Sequence, residues 1–192
     1  MKFKNLSLLL FMVCLGTTVS AQKYLSANTI EISKEWDGNN FTSAKTITEN
    51  IAEAPQFKIL SKLLKNNPLQ QKLENEEMVT IFAFTDTAFL QLSKKSRDSI
   101  INNSKLMNGM VKYMTVPGRV DSYTLKTSIE RNNGTIYLKT LDGQKLGIRE
   151  SNGKLQLVDS ENRTATIIAS DFYHKNGFFH IVEGLIFPAS EE

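Results

Sequence analysis

The chain has 192 residues, of which 41% are hydrophobic and 22% charged, and its formal net charge is +3. That length allows one domain of ordinary size, and the sequence shows no dense basic segment with interleaved aromatic residues, which argues against nucleic-acid binding. Cys14 is the only cysteine, so a disulfide framework and a cysteine-based metal site are excluded.

The first 21 residues have the pattern of a secretory signal peptide. Lys2 and Lys4 precede a short apolar run over residues 8–15, and small residues end at Ala21. The apolar run is too short to span a bilayer. We therefore predict cleavage after Ala21 and an exported protein, either periplasmic, on the outer surface or secreted. Export without a cysteine framework favours a bacterial source, and a lipid-modified Cys14 is the alternative to cleavage.

Residues 22–44 form a predicted N-terminal extension, because they are polar and rich in turn-forming residues. Ile30 and Ile32 alternate with polar neighbours, which indicates a short strand there. Trp36 is the only tryptophan. We expect it to pack on the edge of the domain, the alternative being an exposed aromatic side chain for a partner.

The domain proper is predicted over residues 45–190 and begins with helices. An apolar stripe from Ile47 to Ala54 follows a threonine that can cap a helix. After Pro55, residues 57–64 continue at helical spacing until Asn66-Asn67-Pro68, where the proline disfavours helix. A short further turn is expected after that proline.

A buried strand and a helix are predicted next. Val79 to Phe84 is a run of apolar and β-branched residues, which is typical of a strand covered on both faces. Thr85 or Asp86 can then cap a helix. Phe89 is expected to turn back from that helix into the core.

Two more helices are predicted before the strand-rich part of the chain. Residues 96–99 precede a short helix through Ile100 and Ile101, and Ser104 is expected to cap the next one. The apolar residues of the 106–114 stretch fall on one face of that helix. We expect this face to be core, and the alternative is an apolar pocket that binds a small hydrophobic ligand.

From Val116 the period changes to that of strands. Pro117-Gly118 is a predicted turn, and strands separated by Asn-Gly and Asp-Gly turns are predicted over residues 135–139, 145–149, 154–158 and 164–170. A last strand is predicted within residues 176–188, with an irregularity near Gly184. Helices followed by closely spaced antiparallel strands indicate an α+β domain.

Two segments resemble the boxed motifs of the fasciclin (FAS1) family. Val79-Thr80-Ile81-Phe82-Ala83-Phe84-Thr85-Asp86-Thr87-Ala88-Phe89 is similar to the first box, "T-V-F-A-P-T-D-x-A-F". Asn176-Gly177-Phe178-Phe179-His180-Ile181-Val182-Glu183-Gly184-Leu185-Ile186-Phe187-Pro188 is similar to the second, "N-G-x-I-H-x-I-D-x-V-L-x-P". The resemblance implies a wedge of antiparallel strands in two packed sheets, with several α-helices along one side.

The resemblance also assigns roles to residues. It implies a mainly structural role for the motif positions, which are Phe82, Thr85, Asp86, Phe89, Tyr113, Pro117, Gly118, Asn176, Gly177, His180 and Pro188. A Tyr-His pair often stands between the boxes of this family, and here Tyr113 matches while Met114 replaces the histidine. Any role that depends on that histidine is therefore not expected, and Met114 is interpreted as a packing residue.

The candidate partner-binding residues also come from the resemblance. Animal members carry a recognition segment just before the second box, and the matching residues here are Asp171, Phe172, Tyr173 and His174. We expect them in a loop that joins the last two strands, where alanine variants of Asp171 and Tyr173 would spare stability. The alternative is a structural turn in which Asp171 bonds nearby backbone N–H groups.

No catalytic, metal or cofactor site is predicted. His174 and His180 are the only histidines, and alternation along a strand places His180 and Glu183 on opposite faces. The family implies an extracellular adhesion or binding module, with a protein or glycan of a cell surface or matrix as partner. A hydrolase that uses His180 is the less favoured alternative.

Overall fold

A seven-stranded sheet organises the chain, and the computed structural model describes residues 30–65 and 67–189. The predicted signal peptide, its cleavage point and Cys14 lie outside the described residues. Residues from Glu31 onward form one compact unit.

Helices dominate the first half of this unit. The α-helices are α1 (Ile47–Glu53), α2 (Lys58–Leu64), α3 (Asn67–Asn75), α4 (Lys94–Asn102), α5 (Ser104–Tyr113) and α6 (Ser122–Arg131), and short 3-10 helices cover Pro55–Phe57 and Asp86–Gln91. Thr46 caps α1 through a reciprocal capping box with Glu49, which satisfies donors that the first helical turn leaves unpaired.

The strands form two sheets. They are β1 (Ser33–Trp36), β2 (Asn39–Thr42), β3 (Val79–Phe84), β4 (Thr115–Pro117), β5 (Thr135–Lys139), β6 (Lys145–Ser151), β7 (Lys154–Val158), β8 (Thr164–His174) and β9 (Gly177–Glu183). Strands β1 and β2 form a hairpin, and the large sheet has the order β4-β3-β9-β8-β7-β6-β5. The α+β class predicted from the sequence is confirmed.

The two motif segments lie side by side in the middle of the large sheet. Strand β3 pairs with β9 in parallel, from Val79 opposite Gly177 to Phe84 opposite Val182. The other strand pairs are antiparallel, so the purely antiparallel arrangement expected from the sequence is wrong at this one pair. Between β3 and β9 the chain forms β4–β8. A connection of that length allows β9 to run in the same direction as β3, which a short hairpin turn would not.

The core includes both faces of the sheet at strand β3 and the helices packed on the sheet. All six residues of β3 are buried, as a strand covered on both faces requires. Leu125 and Ile129 of α6 are buried against the β5–β6 end of the sheet, in the same core as Ile136 and Ile148.

The N-terminal hairpin packs into this core. Phe41 of β2 is 1% exposed, and its ring contacts Phe172 and Phe179 edge-on, with centroids 5.4 and 5.1 Å away. The strand expected around Ile30 and Ile32 is displaced to β1 and β2. Trp36 packs on Phe57 with centroids 5.9 Å apart, as the edge-packing interpretation predicted.

Several helix boundaries differ from the sequence prediction. Residues 96–99 lie inside α4, which Ser93 caps, and Asn103 rather than Ser104 caps α5. Helix α6 was not predicted, because its apolar side is reduced to Leu125 and Ile129 within an otherwise polar segment. A side chain from a distant strand helps to begin this helix, as described next.

Candidate functional site

Three polar residues from distant parts of the chain meet beside the sheet. Ser122 begins α6, Asp171 lies in β8, and His180 lies in β9. Asp171 accepts hydrogen bonds from the Ser122 backbone N–H at 2.8 Å and from the Ser122 hydroxyl at 2.5 Å. The His180 Nδ1 atom is 4.0 Å from Asp171 Oδ1.

Irregular pairing between β8 and β9 brings Asp171 to this position. The register shifts between Ile167 and Ala169 and again between Ala169 and Phe172, and Asp171 has a φ of 60°. β-Bulges of this kind redirect a side chain out of the regular alternation. The Asp171 carboxylate therefore reaches the start of α6, where it adds to the capping bond that Asp121 accepts from Thr124 N–H at 2.7 Å.

His180 is held by backbone on both ring nitrogens. It is completely buried, its Nε2 lies 2.8 Å from the Val120 carbonyl oxygen, and the Asp171 backbone N–H donates to its Nδ1 at 3.3 Å. These partners assign the proton to Nε2, which donates to Val120. The sequence interpretation of His180 as a partly buried histidine bonded to backbone is right about the backbone partners, but the side chain is completely buried.

Burial determines the charge of His180, and hydrogen bonds determine that of Asp171. It disfavours the imidazolium and lowers the pKa of His180, although the Val120 carbonyl and the Asp171 carboxylate act in the opposite direction. Burial also raises the pKa of Asp171, but the hydrogen bonds from Ser122 outweigh it and hold that pKa below its usual value. At neutral pH the pair is therefore a neutral imidazole beside a carboxylate.

The order of these bonds does not match a nucleophilic triad. In a triad the serine hydroxyl donates to the imidazole, which the carboxylate orients. Here the Ser122 hydroxyl donates to Asp171, and the Nε2 atom of His180 is occupied by Val120. The arrangement anchors α6 to β8 and β9, and it leaves no base to activate Ser122.

The segment predicted to contact a partner is not a loop. Residues 171–174 form the end of β8, and only Lys175 and Asn176 connect it to β9. Phe172 and His174 are 0% and 3% exposed, so their side chains do not face a partner, and that part of the prediction is wrong. Tyr173 and Asp171 remain partly exposed.

Asp171 also fails the expectation that its replacement would spare stability. Its carboxylate has three internal donors, two from Ser122 and the hydroxyl of Ser170 at 3.2 Å. Removing a partly buried acceptor leaves such donors unpaired at a cost of about 1–3 kcal/mol. The alternative interpretation, in which Asp171 accepts hydrogen bonds in a structural role, is thus correct. The main donor is Ser122 of α6 rather than a residue of a local turn.

His174 is a second buried histidine in the same strand. Its Nε2 lies 3.2 Å from the Phe178 carbonyl oxygen, and its Nδ1 is buried without a hydrogen-bond partner among the described residues. Burial lowers the pKa of His174 to about 4. It is therefore neutral in the folded protein at neutral pH.

Exposed cations lie over the aromatic rings at this end of the sheet. The Arg119 guanidinium is 4.4 Å from the centroid of the Phe178 ring and 5.3 Å from that of Tyr173. Lys34 lies 4.9 Å from the Phe172 ring and donates to the Ser170 carbonyl at 2.6 Å. Sequence reasoning missed both cations, because only the folded chain places them beside β8.

The first motif is a structural unit, as the resemblance implied. Phe82 and Phe89 are buried, and the hydroxyls of Thr85 and Thr87 bond each other at 2.7 Å. Neither Thr85 nor Asp86 caps the following 3-10 helix with its side chain. Asp86 instead accepts from the Lys58 and Ile59 N–H groups at 3.1 and 2.9 Å, so it caps α2 from outside.

The segment between the motifs includes β4, which forms one edge of the large sheet. The buried Tyr113 donates to the Lys145 carbonyl at 3.2 Å, and burial raises its pKa to about 12. Met114 is 1% exposed, which confirms it as a packing residue. After Pro117, the Gly118 N–H donates to the Met78 carbonyl at 2.8 Å, and its φ of 95° favours glycine.

The second motif begins with a close backbone crossing. The Asn176 amide donates to the carbonyls of Leu73 and Glu76 at 3.0 and 3.1 Å, which ties the end of α3 to the sheet. A Cβ atom on Gly177 would lie 1.8 Å from the Val79 carbonyl oxygen. Only glycine fits there, since the two motifs meet at this point.

Most of the apolar face of α5 is core. Met107, Met110 and Val111 are buried there, as the core interpretation predicts, whereas Leu106 lies in the wall of a groove. The opposite side of the helix borders an open groove of about 830 Å³ with Pro188 on its other wall. Ile100, Leu106 and Phe187 line this groove together with charged and polar groups such as Lys112 and Arg163, so it is an open groove of mixed character.

The described residues contain neither a cluster of metal ligands nor a membrane-spanning helix. Within residues 30–65 and 67–189, no three His, Cys, Asp or Glu side chains come together in a way that would hold a metal ion. Over those ranges, too, every helix is too short or too polar to cross a bilayer.

The chain is similar to known proteins along most of its length. The Fasciclin domain family model matches residues 55–188. Protein sll1483 of Synechocystis is 29% identical over 149 residues, which cover 76% of this chain and 75% of that protein. The solved FAS1 domain pair of the insect cell adhesion molecule fasciclin I has a TM-score of 0.62 at 10% identity, covering 82% of this chain and 66% of that one.

Two further relatives are much longer than this chain. The Fasciclin-like arabinogalactan protein of Arthroderma benhamiae is 25% identical over 150 residues, which cover 74% of this chain but 36% of the relative. Human periostin is 23% identical over 145 residues, which cover 76% of this chain and 16% of periostin. The chain therefore corresponds to about a third or less of either protein.

Proposed function

Because the chain belongs to the fasciclin family, we propose that it is a non-catalytic binding module that engages a protein or glycan of a cell surface or matrix. The insect neighbour is a cell adhesion molecule, and one relative is named as a fasciclin-like arabinogalactan protein. These names support an adhesion-type role. The predicted signal peptide at residues 1–21 supports a location outside the cytoplasm.

The arrangement of Ser122, Asp171 and His180 carries the non-catalytic part of the proposal. The hydroxyl, the carboxylate and both imidazole nitrogens are used by internal hydrogen bonds. A catalytic base must be within reach of the proton that it abstracts. His180 is completely buried, so a substrate would first have to displace the Val120 carbonyl from it.

The surface formed by Arg119 and Tyr173 is the proposed partner contact. Tyr173 belongs to the segment that the family resemblance predicts to bind a partner, and its side chain is still partly exposed. Arg119 is exposed and Tyr173 is half-buried, and the contact of the guanidinium with two rings holds it in a defined position. Arginine and tyrosine are enriched among the residues that dominate binding interfaces.

A pull-down with the protein beginning at Gln22 tests this contact. Material captured from surface extracts of the native host is compared for the wild type and for Arg119→Ala/Tyr173→Ala. The matched control is Arg131→Ala/Tyr123→Ala, which removes the same side-chain types from α6, where Tyr123 is 78% exposed. We expect the first variant alone to lose the partner, and equal capture by both variants would contradict the proposed contact.

The hydrolase alternative and export have separate tests. We expect His180→Ala to lower stability without removing any turnover, whereas hydrolysis that disappears in a folded His180→Ala variant would contradict a non-catalytic module. Protein purified from the native host should have an intact mass that starts at Gln22. A lipid-modified N-terminus at Cys14 would replace cleavage after Ala21 with membrane anchoring.

A further inference from the structure

In the described part of the chain, one face of the β5–β7 region presents exposed side chains and has no helix packed on it. The register places Ile136, Ile148 and Leu157 in one cross-strand row, and these residues are buried on the side that α6 covers. Side chains alternate along each strand. The neighbouring rows, which contain Tyr137, Lys139, Lys145, Arg149 and Lys154, therefore point to the other side, where all five are exposed. We call these five residues the basic sheet face.

The basic sheet face places cations close together. Lys139 is directly opposite Lys145, and directly paired residues have Cβ atoms about 4.5–5.5 Å apart. Arg149 pairs with Gln156, which makes Lys154 its diagonal neighbour at about 7–8 Å. Like charges directly opposite each other are destabilising, so the fold alone does not favour this arrangement.

The carboxylates nearest in sequence or on the same face do not neutralise these cations. No ion pair of 4.0 Å or less joins the four to a carboxylate of the described residues. Asp142, in the turn between Lys139 and Lys145, accepts from the Thr140 hydroxyl and the Gln144 N–H. Glu183 lies in the row of Arg149 but three strands away, which is about 14 Å.

An aromatic ring lies between the two groups of charges. Tyr137 is 68% exposed and stands opposite Gly147. A Cβ atom on Gly147 would lie 3.4 Å from Tyr137 Cε1, so the ring rests on the glycine backbone. The absence of a side chain at this position lets the ring lie against the strand and present its other side to solvent.

We propose that the basic sheet face binds an acidic polysaccharide. Carboxylate or sulfate groups of the polymer pair with Lys139 and Lys145 at one end of β6 and with Arg149 and Lys154 at the other. The face of a sugar ring between these groups packs on Tyr137, whose ring is amphipathic and rigid. Strand β6 from Lys145 to Ser151 is about 20 Å long, so a linear polymer of several sugars, rather than a single small anion, spans the cations.

A polysaccharide fits this surface better than a nucleic acid does. Single-stranded nucleic acids are held by several aromatic side chains on which successive bases stack, whereas the basic sheet face offers one ring. The face also lies on other strands than Arg119 and Tyr173, so the inference goes beyond the proposed partner contact and is tested independently of it.

The test measures binding of defined polymers to the protein that begins at Gln22. Sodium alginate and dextran sulfate are the acidic probes, neutral dextran of the same length is the control polymer, and a single-stranded DNA oligonucleotide is the competing polyanion. The variant is Lys139→Gln/Lys145→Gln/Arg149→Gln. Its matched control is Lys62→Gln/Lys94→Gln/Lys95→Gln, which removes the same charge from exposed positions on α2 and α4.

We expect the wild type to bind alginate or dextran sulfate but not dextran, with affinity that falls as sodium chloride rises, because salt screens exposed charges. The sheet-face variant should bind about tenfold more weakly or worse while the control variant keeps its affinity. Tyr137→Ala should weaken binding of the acidic polymers more than the control variant Tyr123→Ala does.

Three results would overturn the proposal. They are no binding of either acidic polymer by the wild type, equal losses in the sheet-face and control variants, or DNA bound as tightly as alginate at equal charge concentration. The first and third need no variant, so they decide even if a variant fails to fold. A negative result here together with partner capture that depends on Arg119 and Tyr173 would leave the proposed function standing.

Discussion

The two ends of the large sheet are built from different kinds of surface. Around β3 and β9, both faces are largely covered, and all six residues of β3 are buried. In β5, β6 and β7, buried residues are interspersed with exposed and half-buried ones. The two family motifs lie at the covered end, and the unpaired charges lie at the open end.

The polar side chains also differ between the two ends of the sheet. At the covered end, His180, Asn176 and Thr80 bond backbone groups of other segments, because a buried polar group without a partner is costly. At the open end, Lys139, Lys145 and Arg149 reach solvent. The residues of the two family motifs thus stabilise the fold. Much of the surface that a partner could contact lies on strands outside those motifs.

The largest effect is expected where the motifs cross. Gly177→Ala places a Cβ atom 1.8 Å from the Val79 carbonyl oxygen, so β3 and β9 cannot keep their register, and we expect a loss of more than about 4 kcal/mol in the free energy of unfolding. Gly153→Ala is the control, because that glycine also has a positive φ but open space around it. It should cost only about 1–2 kcal/mol. Urea denaturation measures both, and similar costs would contradict the close crossing.

The next effect is a dependence of stability on pH. Burial lowers the pKa of His174 from 6.5 to about 4, so the unfolded chain takes up this proton first as the pH falls. The stability that the neutral side chain contributes is complete above pH 6.5 and is lost between pH 6.5 and about 4. This loss is on the order of 3 kcal/mol.

His174→Gln isolates that contribution. The amide retains a donor for the Phe178 carbonyl but does not titrate. Its free energy of unfolding should therefore fall less steeply than that of the wild type between pH 6.5 and 4. The remaining slope includes His180, whose pKa is also lowered by burial. Parallel curves for the two proteins would show that His174 is not buried as described.

A smaller effect is expected at the contact between β8 and α6. Asp171→Asn removes a charged acceptor from the Ser122 hydroxyl and N–H, and we expect a cost of about 1–2 kcal/mol. Ser122→Ala should be partly redundant with it, with a coupling of at least about 0.5 kcal/mol in a double-mutant cycle. Strictly additive costs would mean that the two side chains do not interact.

The smallest effect on stability is expected at the open end. Lys145→Gln removes one of two directly opposed lysines, so the free energy of unfolding should change by less than about 0.5 kcal/mol and should not fall. Urea denaturation at low ionic strength measures this, since salt screens the repulsion. A loss of 1 kcal/mol or more would indicate an internal role for Lys145 and would weaken its assignment to a binding surface.

Sequence reasoning was most successful where local pattern decides structure. The continuous apolar run of β3 and the alternation in β5–β7 correspond to strands at the predicted positions. Prediction from local pattern failed where a residue distant in sequence determines the local structure. Asp86 resembles the cap of its own helix but bonds α2, and α6 has a weak apolar stripe but receives Asp171 at its start.

The candidate sites were less predictable for the same reason. Phe172 and His174 were expected at a surface because a family motif falls on them, but the continuation of β8 buries both. The basic sheet face has no signal in the sequence, because its cations come from three strands and become neighbours only through the register. No dense basic segment of the sequence therefore contains this group of cations.

The difference between the two ends of the sheet can be tested most directly by mapping backbone amide NMR shifts as an alginate oligosaccharide is added to the wild type. We expect saturable shifts along β5, β6 and β7, largest near Tyr137, Lys145 and Arg149, with the amides of His180 and Asp171 unchanged. Shifts centred on β8 and β9 instead, or no saturable shifts at all, would contradict the assignment of polysaccharide binding to the open end.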